Sequence, residues 1–232
     1  MTLPEIVSRE EWTAARTALL EREKELTRAR DALSADRRRL PMVEIGKDYR
    51  FDDGRAGLLD LFEGRRQLIV GHFMFDPEWD EGCPSCTAGA DEVSDGLRLH
   101  LASRDVTLAY VSRAPLAKIE RYKAARGWTF PWYSSHGSDF NYDFHVTLDP
   151  AVAPVEYNFR AEDLTGEAPG LSCFVRDGER LFHTYSQYAR GAEWTGGSYA
   201  FLDLTALGRQ EEWEEPKGRS DVGRGAVPIF DA

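Results

Sequence analysis

The 232-residue sequence carries 40 acidic and 29 basic side chains, a formal charge of −11, and 42% of its residues are hydrophobic. That balance excludes general disorder, and the acidic excess excludes broad binding to nucleic acid or anionic membrane, which needs a basic surface. There is no apolar run long enough to span a bilayer, and Met1–Glu10 lack the basic and apolar blocks of a secretory signal, so a cytoplasmic protein is expected.

Residues 1–40 read as a helical extension, with a long charged helix over 9–36. Ser8 is placed to cap it, and Glu11 completes a capping box. Trp12, Leu19, Leu26 and Leu33 recur every seven residues, and Ala15 and Ala29 widen the stripe. So narrow a stripe predicts a helix lying across a larger body or a partner subunit, and with it a homodimer through this helix. Arg22 and Asp36 interrupt the seam, which argues against a long coiled coil. Arg37, Arg38 and Arg39 sit where cations favour the helix dipole.

Residues 41–208 form the main domain and 209–232 a charged surface tail. Tyr49–Phe51 is a short strand before the Asp52-Asp53-Gly54 turn, and residues 57–64 form a short helical piece closed by glycine. Gln67–Phe75 is a near-continuous apolar run, the pattern of a central strand covered on both faces. A loop leads to Cys83-Pro84-Ser85-Cys86, then a helix is predicted over 84–103, a buried strand over 106–111, and a helix from Pro115 to about Gly127. This alternation implies a parallel sheet with crossover helices. Residues 127–145 are irregular and aromatic, and 149–169 are a loop-rich, proline-punctuated insert of the kind that often carries function. Leu171–Val175 and Arg180–Tyr185 flank Asp177-Gly178, a hairpin signal. A last helix is predicted over 201–207.

The cysteines carry the chemistry. Three without a secretory context do not make a structural disulfide framework. Cys83 and Cys86 lie between a buried strand and a helix, with Pro84 in the first turn, where its missing N–H costs nothing. A helix N-terminus lowers the pKa of a thiol placed there. Cys86 lies one turn on, close enough to resolve a mixed disulfide formed on Cys83, and no cofactor is then needed. The alternative is metal ligation. Two cysteines cannot complete a four-cysteine zinc site, so copper or zinc would recruit a histidine, and His145 at the end of the aromatic segment is the favoured third ligand. His72, on a buried strand, reads as core, as does Cys173, which alternates with Leu171 and Val175. Trp128, Trp132 and Tyr142, mixed with polar residues, suit either secondary core or the wall of a small-molecule pocket. Asp139 and Asp143 are candidate general bases.

Several blocks together resemble one family: Gly71–Phe75, Trp79–Cys86, Asp105–Leu108 with Val111–Lys118, Gly127–Trp132, Gly137–Phe144, Phe182–Ser186 and Tyr188–Gly191. Over roughly residues 5–210 the chain resembles the thioredoxin-like family catalogued as domain of unknown function 899. The resemblance implies an α/β thioredoxin-like fold, a central mixed sheet flanked by helices, with the cysteine pair at a helix N-terminus. Such folds place a cis-proline opposite the cysteines, and Pro169 fits that position, which makes it a substrate-binding candidate with Trp128, Trp132 and Tyr142. The chain departs from relatives in Thr87–Asp91 and in its tail. It lacks the Pro-x-x-x-Thr-x-x-Cys pattern of peroxidases and the Trp-Cys-Gly-Pro-Cys of thioredoxin itself. The expected partner is a thiol or disulfide, or a small molecule in the aromatic pocket.

Overall fold

The computed structural model describes residues 6–192, together with 201, 202, 205, 207 and 208. Helix α1 spans Arg9–Arg39. The Ser8 side chain accepts from the Glu11 amide, and the Glu11 carboxylate accepts from the Ser8 amide, so the predicted capping box is formed. The helix does not lie across the body. Trp12, Leu19, Leu26 and Leu33 are about half exposed, at 50, 47, 51 and 51%. Among the helix residues only Ser34, Ala35 and Arg38, near its C-terminal end, are buried.

Six strands make one mixed sheet. They are β1 (Val43–Glu44), β2 (Gln67–His72), β3 (Val106–Ser112), β4 (Trp132–Ser134), β5 (Gly170–Asp177) and β6 (Arg180–Tyr188). Their spatial order is β1-β6-β5-β2-β3-β4. β2, β3 and β4 run parallel. β5 returns antiparallel to β2, and β6 antiparallel to β5 through the Asp177-Gly178 turn, where Gly178 has φ +60°. Every residue of β2 is buried, as its apolar run requires for a strand covered on both faces. Alternation divides the core: Leu68 and Val70 join Val111, Phe140, Phe144 and Phe174 on one face, while Ile69 joins Leu108, Leu171 and Cys173 on the other.

The crossovers are helical. The segment after the cysteines is two helices, where the sequence pattern suggested one: α2 (Pro84–Asp91) and α3 (Asp95–Ala102). Gly89 and Gly96 weaken a continuous helix, and the Ser94 hydroxyl accepts from the Leu97 amide and starts a new one. α4 (Leu116–Arg126) joins β3 to β4 and ends at Gly127 in the left-handed region, φ +67°. β2, its helices, β3, α4 and the antiparallel β5–β6 pair, in the order β6-β5-β2-β3, constitute a thioredoxin-like fold.

The short helix α5 (Phe140–Asp143) puts Phe140 and Phe144 into the core. In the insert, Thr147–Leu148 pairs with Gly166–Glu167, and Glu156–Tyr157 pairs with Arg160–Ala161. The tip of that small hairpin, Asn158 and Phe159, holds positive φ at both residues. Residues 57–64 contain a single 3-10 turn, Asp60–Phe62. Phe201 and Leu202 are helical and buried. Most of the remainder of the helix expected there, and the tail 209–232, lie outside the described residues. No helix among them is long and apolar enough to cross a membrane.

Candidate active site at the start of the second helix

The chain leaves β2 along the sheet's C-terminal end and turns back at Gly82. A Cβ at Gly82 would lie 2.5 Å from the Phe73 ring, so only glycine lets the loop press this closely on the strand. The Cys83 amide then donates to the Met74 carbonyl at 3.0 Å. Cys83 is the N-cap of α2, and Pro84 fills its first turn. The Cys83 carbonyl accepts from both the Thr87 amide and the Thr87 hydroxyl, each at 2.9 Å. The Tyr122 hydroxyl stands 2.9 Å from that Thr87 oxygen and ties the turn to α4. The backbone around the first cysteine is therefore anchored on both sides.

The two thiols of the pair are free and adjacent. Cys86 packs on the Phe73, Phe75 and Trp132 cluster. Burial pushes the Cys86 thiol up to about 12, and the neighbouring Cys83, to which it hydrogen-bonds, adds to the rise, while a backbone hydrogen bond from Met74 works against it. Cys86 is thus held as a protonated thiol against the sulfur of Cys83. Cys173 is free but 1% exposed on β5, within the core built around Ile69 and Leu108, as its spacing indicated.

Pro169 sits immediately before β5. Gly170 pairs with His72, so the proline is carried one register step further, alongside the Phe73–Met74 stretch to which Cys83 is bonded. Its carbonyl accepts from the Tyr157 hydroxyl at 2.8 Å, and that oxygen accepts in turn from the Ala189 amide at 2.9 Å. Tyr157 therefore staples the insert to this end of the sheet.

The other sequence candidates separate. Trp132 is 5% exposed and donates to the Ser112 hydroxyl at 2.9 Å, so it is core, not a pocket wall. Trp128 is half-buried in the same aromatic cluster, and its indole N–H is bonded to Asp91 at 2.9 Å. Tyr142 accepts from Arg113 at 3.1 Å. Asp139 and Asp143 both hold Lys47, at 2.8 and 2.6 Å, which makes them ion-pair partners and not free bases. His145, at φ +54°, lines clefts beside α5 that neither cysteine reaches. Among the described residues no three His, Cys, Asp or Glu side chains converge on a metal position. The set Cys83, Cys86 and His145 is corrected accordingly: the aromatic segment enters the core through Phe140 and Phe144 and carries His145 away from the pair.

An ion cluster near this end of the sheet was not anticipated. Arg113, just past β3, donates to Glu167 at 2.8 Å and pairs with Asp76, which follows β2. The Glu167 side chain is 1% exposed and also accepts from Thr147 at 3.1 Å. Burial raises its pKa, and Arg113 opposes that rise. The sequence signal was present: Asp76 and Arg113 are charged residues directly after buried parallel strands, where open α/β sheets gather their polar groups.

The family described as "Bacterial protein of unknown function (DUF899)" matches residues 1–223, and the chain belongs to it. No curated protein matches the sequence. Among solved structures, the chain is similar to peroxiredoxin Q from Xanthomonas campestris at 14% identity and TM-score 0.42, covering 66% of this chain and 90% of that one. It is also similar to peroxidoxin BcpB from Mycobacterium tuberculosis, at 16% identity and TM-score 0.41, covering 71% and 92%. A peroxiredoxin-like protein from Aquifex aeolicus follows at 13% identity and TM-score 0.38, covering 65% and 73%.

Proposed function

We propose that this DUF899 protein is a thiol–disulfide oxidoreductase with Cys83 as nucleophile and Cys86 as resolving thiol. The observation that carries this reading is the placement of the pair. Cys83 caps a helix N-terminus, anchored through its own amide and carbonyl, and Cys86 is held protonated against its sulfur. In the reductive direction the Cys83 thiolate attacks one sulfur of a substrate disulfide. The substrate S–S bond breaks, and its second sulfur leaves as a thiolate that takes up a proton. Cys86 then loses its proton and attacks the Cys83 sulfur of the mixed disulfide. The first substrate sulfur is released as a thiol, and a Cys83–Cys86 disulfide remains. Two electrons and two protons have passed to the substrate, and a dithiol reductant reverses the internal bond.

The order of attack follows from the same geometry. While Cys83 is the thiolate, its charge helps hold the proton on Cys86. Once Cys83 is in a mixed disulfide, that charge is gone and only burial opposes ionisation of Cys86. Pro169, alongside the same backbone stretch, is the position proposed to receive the substrate strand. The chemistry suits a reducing compartment, and a cytoplasmic placement belongs to the same proposal.

Oxidation of the protein with diamide, followed by alkylation and peptide mapping, tests the reading. A Cys83–Cys86 disulfide that forms reversibly, with Cys173 left as a thiol, is expected. A pair that never bridges under oxidant contradicts it.

A further inference from the structure

A second cleft, of about 370 Å³, opens between β1, the end of α5, the insert hairpin and β6. Its walls are aromatic: Tyr49, Phe144, Phe159 and Tyr188. Phe159 and Tyr188 meet edge to face at 5.6 Å, and Phe144 and His183 do so at 5.3 Å. Cys83 and Cys86 are not part of it. The blocks Gly137–Phe144 and Phe182–Ser186, singled out in the sequence but unused by the thiol chemistry, converge here.

The polar groups of the cleft are mostly committed. Lys47 is held by Asp139 and Asp143, and Glu44 by Arg180 at 2.8 Å. No uncompensated lysine or arginine is left on these walls to draw an anion, so the cleft favours a neutral occupant.

Two histidines of the cleft, His145 and His183, stand in no ion pair among the described residues, and a hydrogen-bond chain fixes how His183 presents itself. Its Nε2 lies 3.1 Å from the Tyr185 carbonyl and 2.8 Å from the Ser186 hydroxyl. A carbonyl only accepts, so Nε2 carries the hydrogen. Ser186 and Ser172, 2.8 Å apart, link it to Nε2 of the buried His72, which lies 2.8 Å from Ser172. Nδ1 of His183 is left with a free lone pair. Among the described residues no hydrogen bond reaches it, and it is not among their buried unpartnered atoms. Burial also lowers the pKa of His183, which keeps the ring neutral and the lone pair available at pH 7.

We propose that this cleft binds a neutral, planar aromatic molecule bearing a hydroxyl group, which donates its hydrogen to Nδ1 of His183 while its rings pack on Phe144, Phe159 and Tyr188. The volume admits a two-ring ligand, within the usual range for small-molecule sites. The proposal is independent of the thiol chemistry.

Calorimetric titration of the full chain with 2-naphthol and with its methyl ether, 2-methoxynaphthalene, tests it. The two probes share shape and apolar area, but only the first donates a hydrogen bond. Saturable one-to-one binding of 2-naphthol is expected, with the ether roughly tenfold weaker. Gly46→Leu is expected to abolish binding, since Gly46 lines the cleft and a Cβ there meets nothing within 4 Å, so the longer side chain enters without backbone strain. His183→Phe is expected to make the two probes equal. Cys83→Ser is expected to leave both affinities unchanged. Absence of saturable 2-naphthol binding to the folded wild type, equal affinity of the wild type for both probes, or undiminished binding to Gly46→Leu would overturn the assignment.

Discussion

Cys86 neighbours the sulfur of Cys83, and burial pushes its thiol up to about 12, with Cys83 adding to the rise. The two cysteines of the pair are therefore chemically unequal. Iodoacetamide at pH 7.5 should label Cys83 in the reduced protein while Cys86 stays unmodified, as read by peptide mass spectrometry. The same shift has a stability consequence. An unfolded thiol ionises above its ordinary 9.0, whereas the folded Cys86 does not, so the stabilisation it provides is present below pH 9 and is lost as pH rises toward 12. Cys86→Ala should flatten the alkaline limb of a denaturation profile. Labelling of both cysteines at equal rates would contradict the assignment.

The Arg113 guanidinium bridges two carboxylates, one of them on the nearly inaccessible Glu167. Arg113→Met leaves that carboxyl buried without its cation and is expected to cost about 3–5 kcal/mol by urea denaturation. The double variant with Glu167→Met should lose less than Arg113→Met alone, because the stranded charge goes with its partner. A larger loss in the double variant would show that packing, not charge, dominates there.

His72 is wholly buried on β2, stacks on Phe144 with ring centroids 6.1 Å apart, and has its pKa lowered to about 3 by burial. The unfolded histidine takes up a proton below 6.5 and the folded one does not. The associated stability is present above pH 6.5 and falls as the pH drops toward 3. Between pH 7 and 5 the loss from this group is about 2 kcal/mol. His72→Gln should show a shallower acid limb than the wild type, and an identical limb would remove His72 from the account.

The outer stripe of α1, Trp12, Leu19, Leu26 and Leu33, is about half exposed. Leu19→Glu combined with Leu26→Glu should leave the Tm of the body unchanged, because both side chains are half exposed in the single chain. The same stripe is where pairing with a second copy is proposed. Sedimentation of the variant should give half the mass of the wild type, and an unchanged mass would remove the helix from any assembly.

Local pattern carried much of this architecture. The buried β2, the capped start of α1, the hairpin at Asp177-Gly178 and the cysteine pair at a helix N-terminus all rest on residues close in sequence, where periodicity and turn chemistry act directly. What stayed hidden depends on contacts between distant segments. The aromatic segment reads alike as core or as pocket wall; only the fold decides that Trp132 and Phe140 go inside while Phe144 also edges a cleft. A segment before a terminal hairpin often packs near the C-terminal edge of the sheet, which would bring His145 to the cysteines, yet α5 carries it elsewhere. The Arg113–Glu167 pair joins residues 54 positions apart, and no local signal links them. The break between α2 and α3 falls between two glycines, and Ser94 caps the second helix from a position that no apolar periodicity marks.

The most direct test of the central claim is to trap the covalent intermediate. Cys83→Ser and Cys86→Ser are each incubated with 2-hydroxyethyl disulfide, and adducts are mapped by mass spectrometry alongside wild-type turnover with dithiothreitol. The account predicts a stable mixed disulfide on Cys83 in the Cys86→Ser protein, no adduct on Cys86 in the Cys83→Ser protein, and loss of turnover in both. An adduct forming on Cys86 as fast as on Cys83, or turnover that survives Cys83→Ser, would contradict it.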